Sequence, residues 1–218
     1  MAYTEALDLQ HALVAARNDG RLKQDVLLIV EHPPVFTLGR RGGRENLCVS
    51  ESFLARQKVA VVQAERGGNI TYHGPGQLVA YPIVDLERRR MGVADYVTLL
   101  EEAMIRTAAD WGVSARRDRV NRGVWMGDKK LGSIGVAVRR GVSFHGLALN
   151  VDPSMEHFSW ITPCGLAGVA MTSLRQESGS DNLSMAKAGQ ALARHMADLF
   201  DVEMEEIGVE ALLRIVNS

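Results

Sequence analysis

Three stretches of the chain place their apolar residues three or four positions apart, as one face of an amphipathic helix requires. The first opens the chain with Leu7, Leu13 and Val14 and ends near residues 18–20. The second apolar face consists of Tyr96, Leu99, Leu100, Ala103, Met104, Ala108 and Trp111. The third consists of Met185, Ala188, Leu192, Met196, Leu199 and Phe200, after a predicted cap at Ser184 or Asp181. These patterns predict helices near both ends of the chain and in its middle.

Between the helices, short apolar runs bounded by glycine, proline or charged residues predict strands. They cover residues 26–30, 35–38, 59–62, 78–84, 124–126, 131–138 and 142–149. The last two flank Arg139-Arg140-Gly141, a sequence that predicts a hairpin turn. Because helices and strands mix without regular alternation, we expect an α+β fold in which helices flank a mixed or antiparallel sheet.

Composition narrows the class of protein. The chain has 218 residues, which favours one domain over residues 1–218, since single hydrophobic cores stop growing near roughly 250 residues. The formal net charge of −1 argues against nucleic-acid binding through bulk charge. No apolar run approaches the roughly 18 residues of a membrane helix, and acidic residues interrupt the stretch where a targeting signal would lie. We therefore expect a cytoplasmic protein in a reducing compartment.

Residues 66–77 carry the most unusual sequence, Arg-Gly-Gly-Asn-Ile-Thr-Tyr-His-Gly-Pro-Gly-Gln. Four glycines and a proline predict an irregular loop, in which backbone N–H groups can approach a ligand closely. The segment lacks the Lys-Ser/Thr ending of a P-loop and the helix-opening Gly-x-Gly-x-x-Gly pattern. A tight connection between strands and a binding loop both fit the composition, and the polar side chains among the glycines favour binding.

Two further segments carry reactive side chains. Lys129 and Lys130 are adjacent, so in an extended segment one can be buried while the other is solvated. From these residues alone, two solvated surface lysines are the favoured interpretation, and a buried lysine is the alternative. Cys164 lies between Pro163 and Gly165 on a predicted turn, where a thiol can serve as a nucleophile. A buried structural thiol is the alternative for Cys164.

The remaining thiol and the histidines are weaker candidates. Cys48 precedes a predicted helix start and is interpreted as a packing residue. Two cysteines exclude a disulfide scaffold and a zinc cluster of four cysteines. His32, His73 and His145 are ambiguous one by one, and their spacing predicts no zinc site.

Taken together and in order, these strings resemble the lipoyl(octanoyl) transferase family. The matching strings are Glu31-His32-Pro33-Pro34, Thr37-Leu38-Gly39-Arg40, residues 66–77, Lys130-Leu131-Gly132-Ser133-Ile134-Gly135, His145-Gly146-Leu147-Ala148-Leu149-Asn150 and Ile161-Thr162-Pro163-Cys164-Gly165. They cover nearly the whole chain, and the glycine-rich string is highly specific. Members of the family move an octanoyl group from acyl carrier protein to a lysine of a lipoyl domain.

The resemblance implies a fold similar to the catalytic domains of biotin and lipoate protein ligases. It implies that Cys164 is the acyl-thioester nucleophile and that Lys130 is its partner. His73 is a candidate third group that orients either residue or donates to the oxyanion. The implied acyl-binding residues are Arg66, Gly67, Gly68, Asn69, Ile70, Thr71, Tyr72, His73, Ser133, Ile134, Gly135, Gly146, Leu147 and Ala148.

The resemblance also implies partners. The octanoyl donor would be acyl carrier protein, and the acceptors would be the lipoyl domains of 2-oxoacid dehydrogenases and the glycine cleavage H protein. Because an amide forms downhill from a thioester, we expect no ATP, no metal and no other cofactor. We expect a monomer that binds neither nucleic acid nor membranes. The basic clusters at residues 88–90 and 116–117 are interpreted as docking sites for an acidic carrier, with solvated surface as the alternative.

Three other functions fit the same sequence. One is an ATP-dependent lipoate protein ligase, and another is an amidotransferase that shuttles octanoyl between two lipoyl-type domains. The third is a non-catalytic acyl- or protein-binding module in which Cys164 is inert. ATP dependence, the choice of donor and an acyl adduct on Cys164 distinguish these functions from octanoyl transfer.

Overall fold

The computed structural model describes residues 1–118, 120–162 and 169–217. The helices in these residues are α1 (Tyr3–Asn18), α2 (Glu51–Arg56), α3 (Val93–Ala109), α4 (Leu174–Ser178), α5 (Met185–Phe200) and α6 (Val209–Asn217). The strands are β1 (Val26–Val30), β2 (Val35–Leu38), β3 (Ala60–Gln63), β4 (Ile70–His73), β5 (Gln77–Ile83), β6 (Arg116–Arg117), β7 (Val124–Met126), β8 (Lys129–Arg139) and β9 (Val142–Asn150). Short 3₁₀ helices occupy Arg44–Asn46 and Glu156–Trp160.

Two sheets organise the strands. The larger sheet has the order β1-β5-β9-β8-β7-β6 and is antiparallel throughout. The smaller has the order β3-β2-β4, with β2 parallel to β3 and antiparallel to β4. The predicted α+β class with a mixed or antiparallel sheet is therefore confirmed.

The predicted hairpin joins β8 to β9, the two long central strands. Arg139 pairs with Val142, so Arg140 and Gly141 form the two-residue turn. Both have positive φ, 50° and 80°, as in the type I′ turn whose twist matches that of antiparallel strands. The turn therefore fixes the register in which β8 and β9 form the pocket wall described below.

Helices cover both faces of the large sheet. One face packs against α3 and α5, whose apolar stripes close over buried leucines of β5, β8 and β9. The other face packs against α1, and α6 packs against α1 in the same apolar cluster. The predicted cap of α5 is confirmed, since the Ser184 hydroxyl accepts a hydrogen bond from the Lys187 N–H. Within the described residues, no helix combines the length and apolar character needed to cross a membrane.

The structure corrects the prediction that residues 66–77 are irregular throughout. Ile70–His73 forms β4, which pairs with β2 from Val35↔His73 to Leu38↔Ile70. The β-branched and aromatic residues of this run suit a pleated strand, and the glycines on either side supply the turns. The predicted binding loop is therefore a strand with a glycine-rich connection at each end.

Candidate active site

A pocket lies where the α1 face of the large sheet meets β4 and the connection that precedes it. Its walls are Tyr3, Arg66, Gly68, Asn69, Thr71, His73, Val79, Tyr81, Ser133, Ile134, Gly135, His145, Gly146, Leu147 and Ala148. The empty space between them, open mouth included, is about 460 Å³.

Strand alternation decides which residues of the glycine-rich run reach the pocket. Thr71 and His73 line it, whereas Ile70 and Tyr72 point to the other face of β4 and pack in the apolar cluster of the small sheet. Gly67 is also outside the wall, where its N–H donates to the Val136 carbonyl. The structure thus corrects the prediction that residues 66–73 line the site without exception.

Arg66 ties the glycine-rich connection to the small sheet. Its side chain is buried, and its guanidinium donates to the Thr37 carbonyl at 2.6 Å and to the Thr37 hydroxyl at 2.8 Å. A Cβ at Gly135 would lie 2.9 Å from the Arg66 Cδ. This close approach requires glycine at position 135 and seats the arginine side chain directly on β8.

Three histidines distant in sequence converge beside this pocket. The ring of His73 lies 5.9 Å from that of His32, and Tyr3 stacks on His73 at 5.9 Å. Tyr81 lies edge-on to His145 at 6.3 Å. Burial lowers the pKa of His73 to about 3 and that of His145 to about 3, and it lowers the pKa of His32 as well. The three rings are therefore neutral at physiological pH.

A chain of buried hydrogen bonds fixes the tautomer of His73. The Thr172 carbonyl can only accept, so the Asn150 amide donates to it at 2.9 Å. The Asn150 Oδ1 then accepts from the Gln77 Nε2 at 2.9 Å. The Gln77 Oε1 in turn accepts from the His73 Nδ1 at 2.7 Å. A neutral His73 therefore carries its proton on Nδ1, and its Nε2 can accept a hydrogen bond but cannot donate one.

The two adjacent lysines differ as alternation predicts. Lys130 is 3% exposed, whereas Lys129 projects into solvent and pairs with Glu177 at 3.5 Å. The Lys130 Nζ lies 5.2 Å from the centre of the Trp125 ring, and Lys130 is not part of the pocket wall. Lys130 is the second residue of β8, the strand whose residues Ser133–Gly135 do form that wall. The structure therefore corrects the interpretation favoured by the residues alone, two surface lysines, and shows the alternative in which one of them is buried.

Cys164, the predicted nucleophile, lies outside the described residues. The described residues on either side are anchored near the pocket. Thr162 donates through its N–H to the Asn46 carbonyl at 2.8 Å, and the Asn46 amide reaches the pocket residue Asn69 at 3.1 Å. On the other side, the Ala170 carbonyl accepts from the Lys130 N–H at 2.8 Å.

The prediction that Cys48 is a buried packing residue is wrong. Its side chain is exposed, with Sγ 3.6 Å from the Thr162 hydroxyl. The residue lies between the 3₁₀ turn Arg44–Asn46 and α2, where its own N–H donates to the Trp160 carbonyl at 2.8 Å. The backbone, rather than thiol packing, therefore stabilises this segment.

Sequence reasoning left His32 and His145 as ambiguous candidates, and it missed two further pocket-side residues, Tyr3 and Tyr81. The Tyr81 hydroxyl and the His32 Nε2 form a buried hydrogen bond of 2.7 Å. Two features of the sequence could have indicated these residues. His32 directly precedes Pro33, and Tyr81 and His145 each place a polar ring within an apolar strand. Within the described part of the chain, no group of three histidine, cysteine or acidic side chains is arranged to hold a metal ion.

The fold and site define a lipoyl-ligase type of catalytic domain. The chain belongs to the lipoyl protein ligase A/B catalytic domain family, whose model matches residues 2–197. An octanoyltransferase of Desulfotalea psychrophila is 53% identical over 201 residues, covering 91% of this chain and 90% of the relative. One of Syntrophobacter fumaroxidans is 45% identical over 215 residues, covering 99% and 93%. The predicted family is confirmed, and the chain is an acyltransferase.

Solved structures confirm the predicted lipoate-ligase fold. The bipartite lipoate protein ligase of Thermoplasma acidophilum, studied with its E2 lipoyl domain, has a TM-score of 0.77 at 16% identity, covering 100% of this chain and 88% of that one. Lipoate-protein ligase A bound with ATP has a TM-score of 0.76 at 16% identity, covering 96% and 87%. At this identity, the likeness concerns the fold alone.

Proposed function

We propose that this chain transfers an octanoyl group from acyl carrier protein to a lysine of a lipoyl domain, through a thioester on Cys164 and without ATP or a metal. The observation that carries the proposal is the burial of Lys130 at the start of the strand that walls the pocket. A buried amine beside a binding pocket can stabilise a thiolate or accept a proton from an attacking amine. The names of the octanoyltransferase relatives support the choice of acyl group.

In the first half-reaction, the Cys164 sulfur attacks the carbonyl carbon of the octanoyl thioester. A carbon–sulfur bond to Cys164 forms, and the carbon–sulfur bond to the carrier breaks. The thiol proton of Cys164 passes to Lys130 and then to the departing carrier sulfur. The products are an octanoyl-Cys164 thioester and a carrier with a free thiol.

In the second half-reaction, the acceptor lysine attacks the same carbonyl as a free amine. A carbon–nitrogen bond forms, and the bond to the Cys164 sulfur breaks. Lys130 accepts the proton that the amine releases and returns it to the cysteine. The enzyme is regenerated, and the octanoyl group is held in an amide.

The tautomer of His73 narrows its role in this reaction. An oxyanion needs hydrogen-bond donors, and the His73 Nε2 has no proton to donate when Nδ1–H is bonded to Gln77. We therefore assign His73 an orienting role and leave oxyanion stabilisation to backbone N–H groups. The same hydrogen-bond chain reaches Thr172, whose N–H donates to the Lys130 carbonyl at 3.0 Å. His73 and Lys130 are thus positioned by one continuous network.

The charges around the pocket favour a docking surface different from the basic clusters predicted above. Arg89 pairs with Asp25 at 2.7 Å and Arg117 with Glu102, so part of each predicted cluster is neutralised. Arg40 and Arg41 are exposed, and neither pairs with a carboxylate among the described residues. Their backbone N–H groups bond to the carbonyls of Arg66 and Gly68 at the pocket edge. An acidic carrier docked there would bring its acyl group to the pocket.

The decisive experiment is intact mass spectrometry after incubation with octanoyl-acyl carrier protein. We expect one octanoyl adduct, absent from Cys164→Ala and retained in the matched control Cys48→Ala. Addition of a lipoyl domain should then discharge the adduct without ATP. No adduct on the wild type would support the non-catalytic module, and strict ATP dependence would support a ligase. Faster acylation by an octanoylated lipoyl-type domain than by the carrier would support an amidotransferase.

A second experiment tests Lys130 against its neighbour. Lys130→Met should slow both half-reactions at least about a hundredfold, the lower range for removal of a general acid–base group. Lys129→Met, which changes an exposed lysine, should leave both rates within about twofold. Equal effects of the two substitutions would contradict the assignment of Lys130.

A further inference from the structure

An irregularity in the large sheet decides which residue of β8 lies opposite Trp125. Val124 of β7 pairs with Gly132, and a regular antiparallel ladder would then place Leu131 opposite Trp125. The register shifts by one residue at this point, so that Trp125 pairs with Lys130 instead. A β-bulge of this kind redirects a side chain and is common beside active sites. Because cross-strand partners project from the same face of a sheet, the bulge brings Lys130 to the side on which Trp125 lies.

The two side chains of this pair are buried against each other. Trp125 is 5% exposed, and the Lys130 Nζ lies over its ring, 5.2 Å from the centre. A cation within about 6 Å of an aromatic ring is attracted by the electron-rich face, most strongly when the ring is tryptophan. Since both residues are shielded from water, little solvent screens this attraction. The contact therefore favours a positive charge on the Lys130 Nζ.

The indole ring has an anchor of its own, which does not involve the lysine. Its Nε1–H donates to the Asn121 carbonyl at 3.1 Å. The loop that carries this carbonyl is closed by Asp118, whose carboxylate accepts from the N–H groups of Val120 at 2.9 Å and Asn121 at 2.7 Å. The orientation of the Trp125 ring is therefore fixed by the loop before β7.

The carbon stem of Lys130 is confined by Gly123, directly before β7. A Cβ at Gly123 would lie 3.0 Å from the Lys130 Cε and 2.4 Å from the Gly132 carbonyl oxygen, and its φ of +116° suits glycine. The Gly123 N–H donates at 2.9 Å to the carboxylate of Glu101, a fully buried residue of α3. The lysine stem therefore lies directly against a backbone position that α3 holds in place.

We propose that Trp125 is a positioning residue for acyl transfer, which orients the Lys130 side chain and stabilises the ammonium that forms on it. In each half-reaction, a proton leaves the Cys164 sulfur or the acceptor nitrogen for the lone pair of the Lys130 Nζ. The ring attracts Nζ as this charge develops, so it stabilises the transition state more than the bound substrate. The inference rests on the proposed function, since it takes Lys130 to be the proton acceptor.

The first test replaces the ring and measures transfer from octanoyl-acyl carrier protein. Trp125→Leu should lower kcat about thirtyfold, the rate equivalent of a desolvated cation–π contact, and leave KM within about twofold. Trp125→Phe keeps an aromatic face and should retain kcat within about fivefold of the wild type. The matched control is Trp111→Leu, which removes a partly buried tryptophan of the apolar cluster under α3 and α5 and should leave kcat unchanged. Equal losses in Trp125→Leu and Trp125→Phe would overturn the proposal.

A second test separates charge stabilisation from packing and remains decisive if Trp125→Leu fails to fold. Fluorinated tryptophans weaken the electron-rich face of the ring with little change in its shape. We expect kcat to fall about twofold with 5-fluorotryptophan and about tenfold with a trifluorinated tryptophan. The same labelling of Trp125→Phe, which still contains Trp111 and Trp160, should leave its kcat unchanged. A kcat that is insensitive to fluorination, or equally sensitive in Trp125→Phe, would show that the ring serves packing alone and overturn the proposal.

A third measurement does not depend on the reaction. If the wild type forms no octanoyl thioester, the proposed function fails, and the position of Lys130 is then judged by NMR of protein labelled with ¹³C at the lysine Cε. The ring current of Trp125 should shift the Lys130 Hε protons upfield, and Lys130→Met identifies their signal by its loss. An upfield shift that is lost in Trp125→Leu supports the positioning role. A Lys130 signal at the place of the exposed Lys129 would overturn it.

Discussion

The buried histidines make this fold sensitive to mild acid. Burial holds the pKa of His73 and of His145 at about 3, whereas in an unfolded chain these side chains bind protons near their ordinary pKa of 6.5. Between these two values, the unfolded state binds more protons than the folded state. The free energy of unfolding therefore falls as the pH falls from about 6.5 towards 3, and the contribution is fully present above that window.

The size of the effect follows from the two pKa values. A histidine that titrates near 6.5 when unfolded and near 3 when folded loses roughly 2 kcal/mol of stabilisation between pH 7 and pH 5. His73 and His145 together account for about 4 kcal/mol, and the lowered pKa of His32 acts in the same direction. Because whole domains are stable by only about 5–15 kcal/mol, a loss of this size is readily measured.

The assay is urea unfolding at pH 7, 6 and 5. We expect His145→Asn, chosen because asparagine tolerates a positive φ, to reduce the loss between pH 7 and 5 to about half that of the wild type. Tyr3→Phe is the control, because burial raises the pKa of Tyr3 to about 12 and the residue does not titrate in this range. A wild type whose stability is the same at pH 7 and 5 would refute the reasoning, as would an unchanged loss in His145→Asn.

Three further predictions follow from the site. In ¹⁵N spectra of histidine-labelled protein at pH 7, His73 should show a protonated Nδ1 and an unprotonated Nε2, and the reverse pattern would contradict the hydrogen-bond chain. Gly146→Ala should destabilise the fold by about 2 kcal/mol or more, because its Cβ would meet the Ala80 backbone. The control is Gly189→Ala within α5, where the nearest atom to the added Cβ is the Ile29 Cγ2 at 3.5 Å. This variant should be neutral or stabilising by up to about 1 kcal/mol in the same denaturant assay. Replacing Arg40 and Arg41 by glutamate should raise KM for octanoyl-acyl carrier protein several-fold but leave KM for octanoyl-pantetheine unchanged; equal effects on both donors would remove the docking role.

Local pattern was sufficient for much of the fold. Apolar spacing predicted α1, α3 and α5, and the Ser184 cap followed from the same reading. The Arg140-Gly141 turn was also predicted, because a two-residue hairpin depends on the φ angles of its own residues. Ile70–His73 escaped prediction because its strand is formed by pairing with β2, which a glycine-rich composition does not reveal.

For the site as well, the sequence determined some features and the tertiary structure decided the others. The sequence determined that one of two adjacent lysines could be buried, since side chains alternate along a strand, and the ordered motifs identified the family. Only the tertiary structure decided that Lys130 is the buried one and that Cys48 is exposed. It alone brought Tyr3 and His145 from separate elements to one pocket. Such convergence depends on contacts between residues far apart in the chain, and no local pattern of polar and apolar positions encodes them.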